Sequence, residues 1–225
     1  MRTNNIFNKG ILLGILCLPL VFTACSDDDG VEVGQSSKVK IVNAAESSTP
    51  QDFYLNNTKV NSSAIAYEKS EGYISTKSGN DQDAEFRTSG STTVYADKEV
   101  DLSANKDYSF FLHGEGASSS IIVTEDDLSN PPAGKAKVRF IHLSTAASNN
   151  VDISLLNNKL VSDLSFNETT SFSTIDPGVH LFQVFAAGTN TNPIDLNLAA
   201  FVEGKIYTVV ISGSTTADAF LVTNK

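Results

Sequence analysis

The chain has no tryptophan, one methionine, three histidines and two cysteines in 225 residues. Each scarcity removes a class of explanation. Without tryptophan, the flat aromatic platforms on which sugar-binding proteins stack their ligands lack their best side chain. The histidines, His113, His142 and His180, are scattered, and no pair has the spacing of zinc ligands. Cys17 falls within an N-terminal apolar run, so a chain cleaved after that run keeps Cys25 alone and can form no internal disulfide. Its cores must then hold it together unaided. Basic residues are also short: 16 Lys and Arg stand against 26 Asp and Glu, a net charge of -10. That balance argues against a nucleic-acid partner, which calls for clustered cations, and against electrostatic docking on anionic lipid.

The N-terminus reads as a secretory signal. Arg2 and Lys9 precede an apolar run over residues 11–22, and Thr23-Ala24 put small residues before Cys25. The run is short of the ~20 apolar residues that span a bilayer. The cut site resembles a lipobox, with Phe22 where such boxes more often carry Leu, so residues 1–24 are expected to leave and Cys25 to receive acyl chains. Their removal takes two basic residues and no acid, shifting the net charge from -10 to -12. Ser26, Asp27, Asp28 and Asp29 follow at once. They resemble the acidic export signal of Bacteroidetes lipoproteins, which implies an outer-membrane protein, lipid-anchored and facing the cell exterior. Residues 25–37 read as a flexible acidic tether, with a span of roughly 20 Å and a limit of about 40 Å.

Beyond the tether the chain repeats. Lys38-Val39-Lys40-Ile41-Val42-Asn43 returns 99 residues later as Lys137-Val138-Arg139-Phe140-Ile141-His142. Asp52-Phe53-Tyr54-Leu55 matches Asp152-Ile153-Ser154-Leu155, and Lys106-Asp107-Tyr108-Ser109-Phe110 matches Lys205-Ile206-Tyr207-Thr208-Val209. The last strand aligns Ser120-Ile121-Ile122-Val123-Thr124 with Ala219-Phe220-Leu221-Val222-Thr223. A period near 100 residues is a domain, since solenoid units run about 20–50. Pro131-Pro132 marks the junction and predicts a restricted range of relative angles. The division is domain 1 over residues 38–128, a linker over 129–136 and domain 2 over 137–225.

Each copy reads as β. Val39 and Ile41 alternate with Lys38 and Lys40, a period of two that places apolar side chains on one face and charged ones on the other. Tyr207-Thr208-Val209-Val210-Ile211 has the composition of a strand buried on both faces. Asn105 and Gly204 occupy one repeat position and predict a left-handed turn before each Tyr strand. Short strands punctuated by turns indicate an all-β protein of two tandem immunoglobulin-like or transthyretin-like β-sandwich domains. The 137–144 strand, the Asp52 strand, Ala66-Tyr67 with Gly72-Tyr73, Gly79 and Gly178, and Gly204-Lys205-x-Tyr207-Thr208 together resemble domain of unknown function family 4397. That resemblance implies envelope proteins, often lipoproteins, with tandem sandwiches and no assigned activity.

Chemistry is sparse. No Gly-x-Ser-x-Gly elbow exists. His113, Glu115 and Ser118 hold the residue types of a catalytic triad but crowd into one turn, which favours a polar hairpin and a non-enzyme. Asp81, Asp83 and Glu85 place carboxylates at alternate positions, which suits either a calcium loop or the solvated face of a strand. No cofactor is expected. Tyr54 and Tyr95 lack aromatic counterparts in the other copy, unlike Tyr67, Tyr73, Tyr108 and Tyr207, which suit a shared core. That leaves Tyr54 and Tyr95 as the candidates for ligand contact. The leading reading is a non-catalytic surface lipoprotein, a binding, adhesion or scaffold module for an extracellular glycan or protein. The rivals are a carbohydrate-binding accessory protein and a fimbrial-type structural subunit.

Overall fold

The computed structural model describes residues 35–156 and 158–225. The signal residues 1–24, Cys25 and the acidic run Ser26, Asp27, Asp28 and Asp29 lie outside the described residues. The expected tether does not extend to residue 37. Strand β1 (Ser36–Asn43) pairs antiparallel with β4 (Ser70–Lys77) from its first residue, Ser36 opposite Lys77, and Ser37 is fully buried.

Sixteen strands form four sheets among the described residues. In the first copy, β4 and β1 are followed by β7 (Asp107–His113) and β8 (Ser120–Glu125), giving the order β4-β1-β7-β8. The facing sheet has the order β3-β2-β5-β6, from β2 (Gln51–Leu55), β3 (Thr58–Lys59), β5 (Gly79–Thr88) and β6 (Val94–Leu102). The second copy repeats both orders. Strands β9 (Ala136–His142), β12 (Ser173–Ile175), β15 (Ile206–Ser212) and β16 (Asp218–Thr223) form β12-β9-β15-β16. Strands β10 (Asn150–Leu155), β11 (Asn158–Ser165), β13 (Phe182–Ala186) and β14 (Ile194–Leu196) form β11-β10-β13-β14. The first strand of each copy runs parallel to the seventh, β1 with β7 and β9 with β15.

The period of two decides which residues meet. In the first copy Val39, Ile41, Phe110 and Leu112 point inward onto Phe53 and Phe86, and the Phe53 ring lies 5.0 Å from both Phe86 and Phe110. In the second, Val138, Phe140, Tyr207 and Val209 enclose Phe182 and Phe201. Tyr108 and Tyr207 close the two cores with the same device: their hydroxyls accept from the Ser103 and Val202 amides, both at 3.1 Å. Each strand follows a left-handed residue, Asn105 at φ 59 and Gly204 at φ 76.

The opposite faces of the two inner sheets cover one another over much of their area, although Lys38 at the start of β1 stays exposed. Val42, Ala44 and Phe111 pack against Ile141, Leu143, Val210, Phe220 and Val222 in a third apolar cluster between the sandwiches. This explains why all seven residues of β15 are buried, as the Tyr207–Ile211 composition predicts. It also sets the fate of the charged face: Lys40 and Arg139 are 4% and 2% exposed. The pairing further revises the repeat alignment. Phe111 faces Ile122 and Val210 faces Phe220, so the counterpart of Ile122 is Phe220 and the offset in the last strand is 98. One residue of slip exchanges core and seam, and Ile121 lies in the first core whereas Phe220 lies in the seam.

Candidate binding surfaces

The seam is built from exchanged contacts, the pattern of an isologous interface. The Tyr67 hydroxyl of the first copy lies 3.0 Å from Ser212 Oγ of the second. Phe166, the counterpart of Tyr67, stands 5.9 Å from His113, the counterpart of Ser212. Thus Tyr67 and Tyr73 serve the seam, where the repeat alone suggests a core. Near the base, Ser109 Oγ donates to Asp126 at 2.5 Å, and its counterpart Thr208 donates to Asn224 at 2.8 Å. Lys40 lies over the Tyr73 ring and Arg139 over the Phe172 ring, at 5.2 and 4.5 Å.

One carboxylate serves two buried cations here. Arg139 Nη2 lies 2.5 Å from Asp126 Oδ1, off the direction of a regular hydrogen bond, with both side chains almost wholly enclosed. Burial lowers the Lys40 pKa, and the Asp126 charge opposes that shift.

At the far end of the strands, Glu46 and Glu115 both reach the second copy. Glu46 Oε2 accepts from the Ser214 amide at 2.8 Å, and the single Ser214 hydroxyl proton is shared between the two carboxylates, with its oxygen 2.8 Å from Glu46 Oε2 and 3.0 Å from Glu115 Oε1. These bonds hold the Glu46 pKa below the usual carboxylate range. The loops at that end of the strands are rich in Ser, Thr, Asn and Gly, as in residues 88–93, 144–150 and 187–192. Such side chains give adaptable hydrogen bonding. The chain enters the first sandwich at the opposite end, at Ser36. Both copies therefore present one tip, away from that entry.

The smaller candidates separate. Asp81, Asp83 and Glu85 lie on strand β5, not in a loop. Asp81 donates its amide to Asp101, Asp83 donates its amide to Asn56, and Glu85 pairs with Arg87. Tyr54 is half-buried beneath the Arg87 guanidinium, 4.2 Å from its ring, and Tyr95 packs on the first core. His113, Glu115 and Ser118 do not converge. Ser118 Oγ donates to the Glu115 backbone carbonyl at 2.7 Å, whereas His113 is 2% exposed with neither ring nitrogen partnered among the described residues. Burial pushes His113 down to about 4, assisted by Lys98. His142 Nε2 lies 2.9 Å from the Ser148 carbonyl, and burial lowers its pKa too. The seam itself escaped the sequence reading, although the paired Phe110-Phe111 and Val209-Val210 runs carried its signal.

The model of a family of unknown function (DUF4397) matches residues 37–154 and again 145–225. The chain belongs to that DUF4397 family. The two overlapping matches agree with tandem copies of the domain. No curated protein matches. Among solved structures, the chain is similar at 8% identity to a family 26 carbohydrate-binding module of Eubacterium rectale Amy13K, determined with maltoheptaose. The similarity covers 84% of this chain and 95% of that one, with a TM-score of 0.26. A candidate cell adhesion protein of Bacteroides uniformis is similar at 10% identity over 86% of this chain and 98% of that one, with a TM-score of 0.25.

Proposed function

We propose that this DUF4397 protein is a non-catalytic surface lipoprotein, anchored in the outer membrane through acyl chains on Cys25. Its paired sandwiches bind an extracellular glycan or protein at their common tip. The observation that carries this reading is the seam. It holds the loop ends of both copies together at the end opposite Ser36, the side from which an N-terminal tether arrives. The separation of His113, Glu115 and Ser118 supports a binding role over a catalytic one.

The test is in cells. Changing Asp27, Asp28 and Asp29 together to Ala should leave the protein lipidated but hidden from external protease, with cell adhesion lost. Unchanged surface labelling would overturn the export role of those acids. Unchanged lipidation of a Cys25→Ala variant would overturn the anchor.

A further inference from the structure

Among the described residues six large apolar side chains are exposed, and four of them gather at the base of the second copy. They are Leu156, Val179, Leu181 and Val202, at 71%, 79%, 44% and 53% exposed. Strand pairing brings them together. Leu155 pairs with Phe182 where β10 ends and β13 begins, so the next residues out, Leu156 and Leu181, are neighbours. Gly178 and Phe201 form a bridge of two hydrogen bonds at 2.8 Å, and Val179 and Val202 follow them. The His180 ring, 6.0 Å from Phe182 and 5.7 Å from Phe201, ties both pairs to one end of the core.

The first copy is polar at each of these places. Asn56 and Asp83 stand just beyond the matching pair, Leu55 with Ala84, and bond to each other through the Asn56 amide and the Asn56 side chain. Ser103 stands where Val202 does, since their amides donate to the Tyr108 and Tyr207 hydroxyls. Asn80-Asp81 occupy the turn that holds Val179. Leu156 is the least expected exchange. Its φ is 49, against 48 at Asn56, a left-handed conformation that asparagine tolerates and leucine resists. Neither burial nor backbone geometry favours a leucine there, and strain of this kind points to a use.

We infer that this corner sits on a lipid bilayer, with its four side chains at the boundary between headgroups and acyl chains. The inference depends on the lipid anchor proposed above. The corner lies at the end of the strands where the chain enters at Ser36. Cys25 is ten residues ahead of Gln35, so acyl chains on Cys25 hold that end within about 35 Å of the bilayer. Contact is then intramolecular, and weak apolar insertion suffices. The corner lacks the Trp, Tyr and Arg that anchor contacts between proteins. The acids beside it are engaged, Asp176 by Lys135 at 2.5 Å and Glu203 by the Gly134 amide at 2.8 Å. Seating the second copy while the polar base of the first stays in water sets the lean of the pair, and with it the direction of the tip.

The chain has no tryptophan, so a single one reports its surroundings. The full lipidated protein carrying Leu181→Trp would be reconstituted in phosphatidylcholine vesicles with plain or brominated acyl chains. Val94→Trp, at the tip, serves as the comparator. The Leu181→Trp emission should shift to shorter wavelength and fall by about twofold or more with bromolipid, as for a ring ~5–10 Å into the boundary, and the Val94→Trp emission should not change. Restoring the first copy's residues with Leu156→Asn, Val179→Asn and Val202→Ser should abolish the quenching without lowering the melting temperature. A lowered melting temperature would make these side chains structural and overturn the inference. So would a blue shift without quenching, which means that a protein surface covers the corner. Anchored protein with unquenched Leu181→Trp emission overturns this inference alone, whereas protein without acyl chains by mass spectrometry overturns the anchor and this inference together.

Discussion

Acid should loosen this protein through His113 before most of its carboxylates are titrated. In the folded chain the imidazole is 2% exposed, packed edge-on to Phe166, with its pKa lowered to about 4 from 6.5. Above pH 6.5 the ring is neutral in both folded and unfolded chains, and it makes stability no more sensitive to pH. Between 6.5 and 4 the unfolded chain takes up a proton that the folded chain refuses, so stability falls as pH falls. The loss is complete below 4. At 1.36 kcal/mol per pH unit, the interval is worth about 3 kcal/mol. The assay is urea unfolding of wild type and His113→Phe at half-unit steps from pH 7.5 to 4. Subtraction removes the carboxylates common to both, including Asp127 and Asp152, whose lowered pKa values also cost stability in acid. The difference between the two curves should open below pH 6.5 and reach about 3 kcal/mol near pH 4. Parallel curves would refute the burial argument and place the ring in contact with water.

Phe111→Ala, which empties a fully buried seam position, should destabilise the chain by about 3–5 kcal/mol and keep one calorimetric transition, whereas two separated transitions would mean that the sandwiches unfold independently. Asp126→Ala should lower denaturant stability by about 3–5 kcal/mol because Lys40 and Arg139 are left buried without their anion, and adding Arg139→Met should recover part of the loss. Gly114→Ala and Gly213→Ala should each lower the melting temperature, since both glycines have positive φ and an added methyl would strike the Ser118 or Thr216 carbonyl; an unchanged melting curve would contradict the turn geometry. Equilibrium dialysis should find no calcium held by Asp81, Asp83 and Glu85, and loss of binding in an Asp81→Asn, Asp83→Asn variant would reverse that expectation.

Much of this architecture was legible in the sequence because strand periodicity and repetition are local signals. Asn105 and Gly204 at one repeat position gave away the left-handed turn, and the β-branched run at Tyr207 announced a doubly buried strand. The seam was not legible for a physical reason. Lys40 and Arg139 look like solvated residues, and partners distant in sequence make their burial tolerable: an aromatic ring for each, Asp126, and for Arg139 the Thr208 hydroxyl that accepts from its Nε at 2.9 Å. The last strand misled for another: Ile121-Ile122 and Phe220-Leu221 match equally well in two registers, and only the pairing with β7 and β15 selects one. Tyr54 and Tyr95 were picked out by lacking counterparts, which says nothing about whether Arg87 or the first core covers them.

Carrying both halves of an isologous interface on one polypeptide changes what that interface can evolve. In a dimer of identical chains every substitution appears twice, so a lysine near the axis confronts a second lysine and an aspartate a second aspartate. Here the halves mutate separately. Asp126 stands where the other copy has Asn224, Arg139 where it has Lys40, and Phe172 where it has Tyr73. The partner's effective concentration is set by the 129–136 connection and does not fall on dilution. The ladders have diverged as well: β4 follows β1 from Lys77 to Ser70 through a bulge, whereas β12 keeps three pairs with β9.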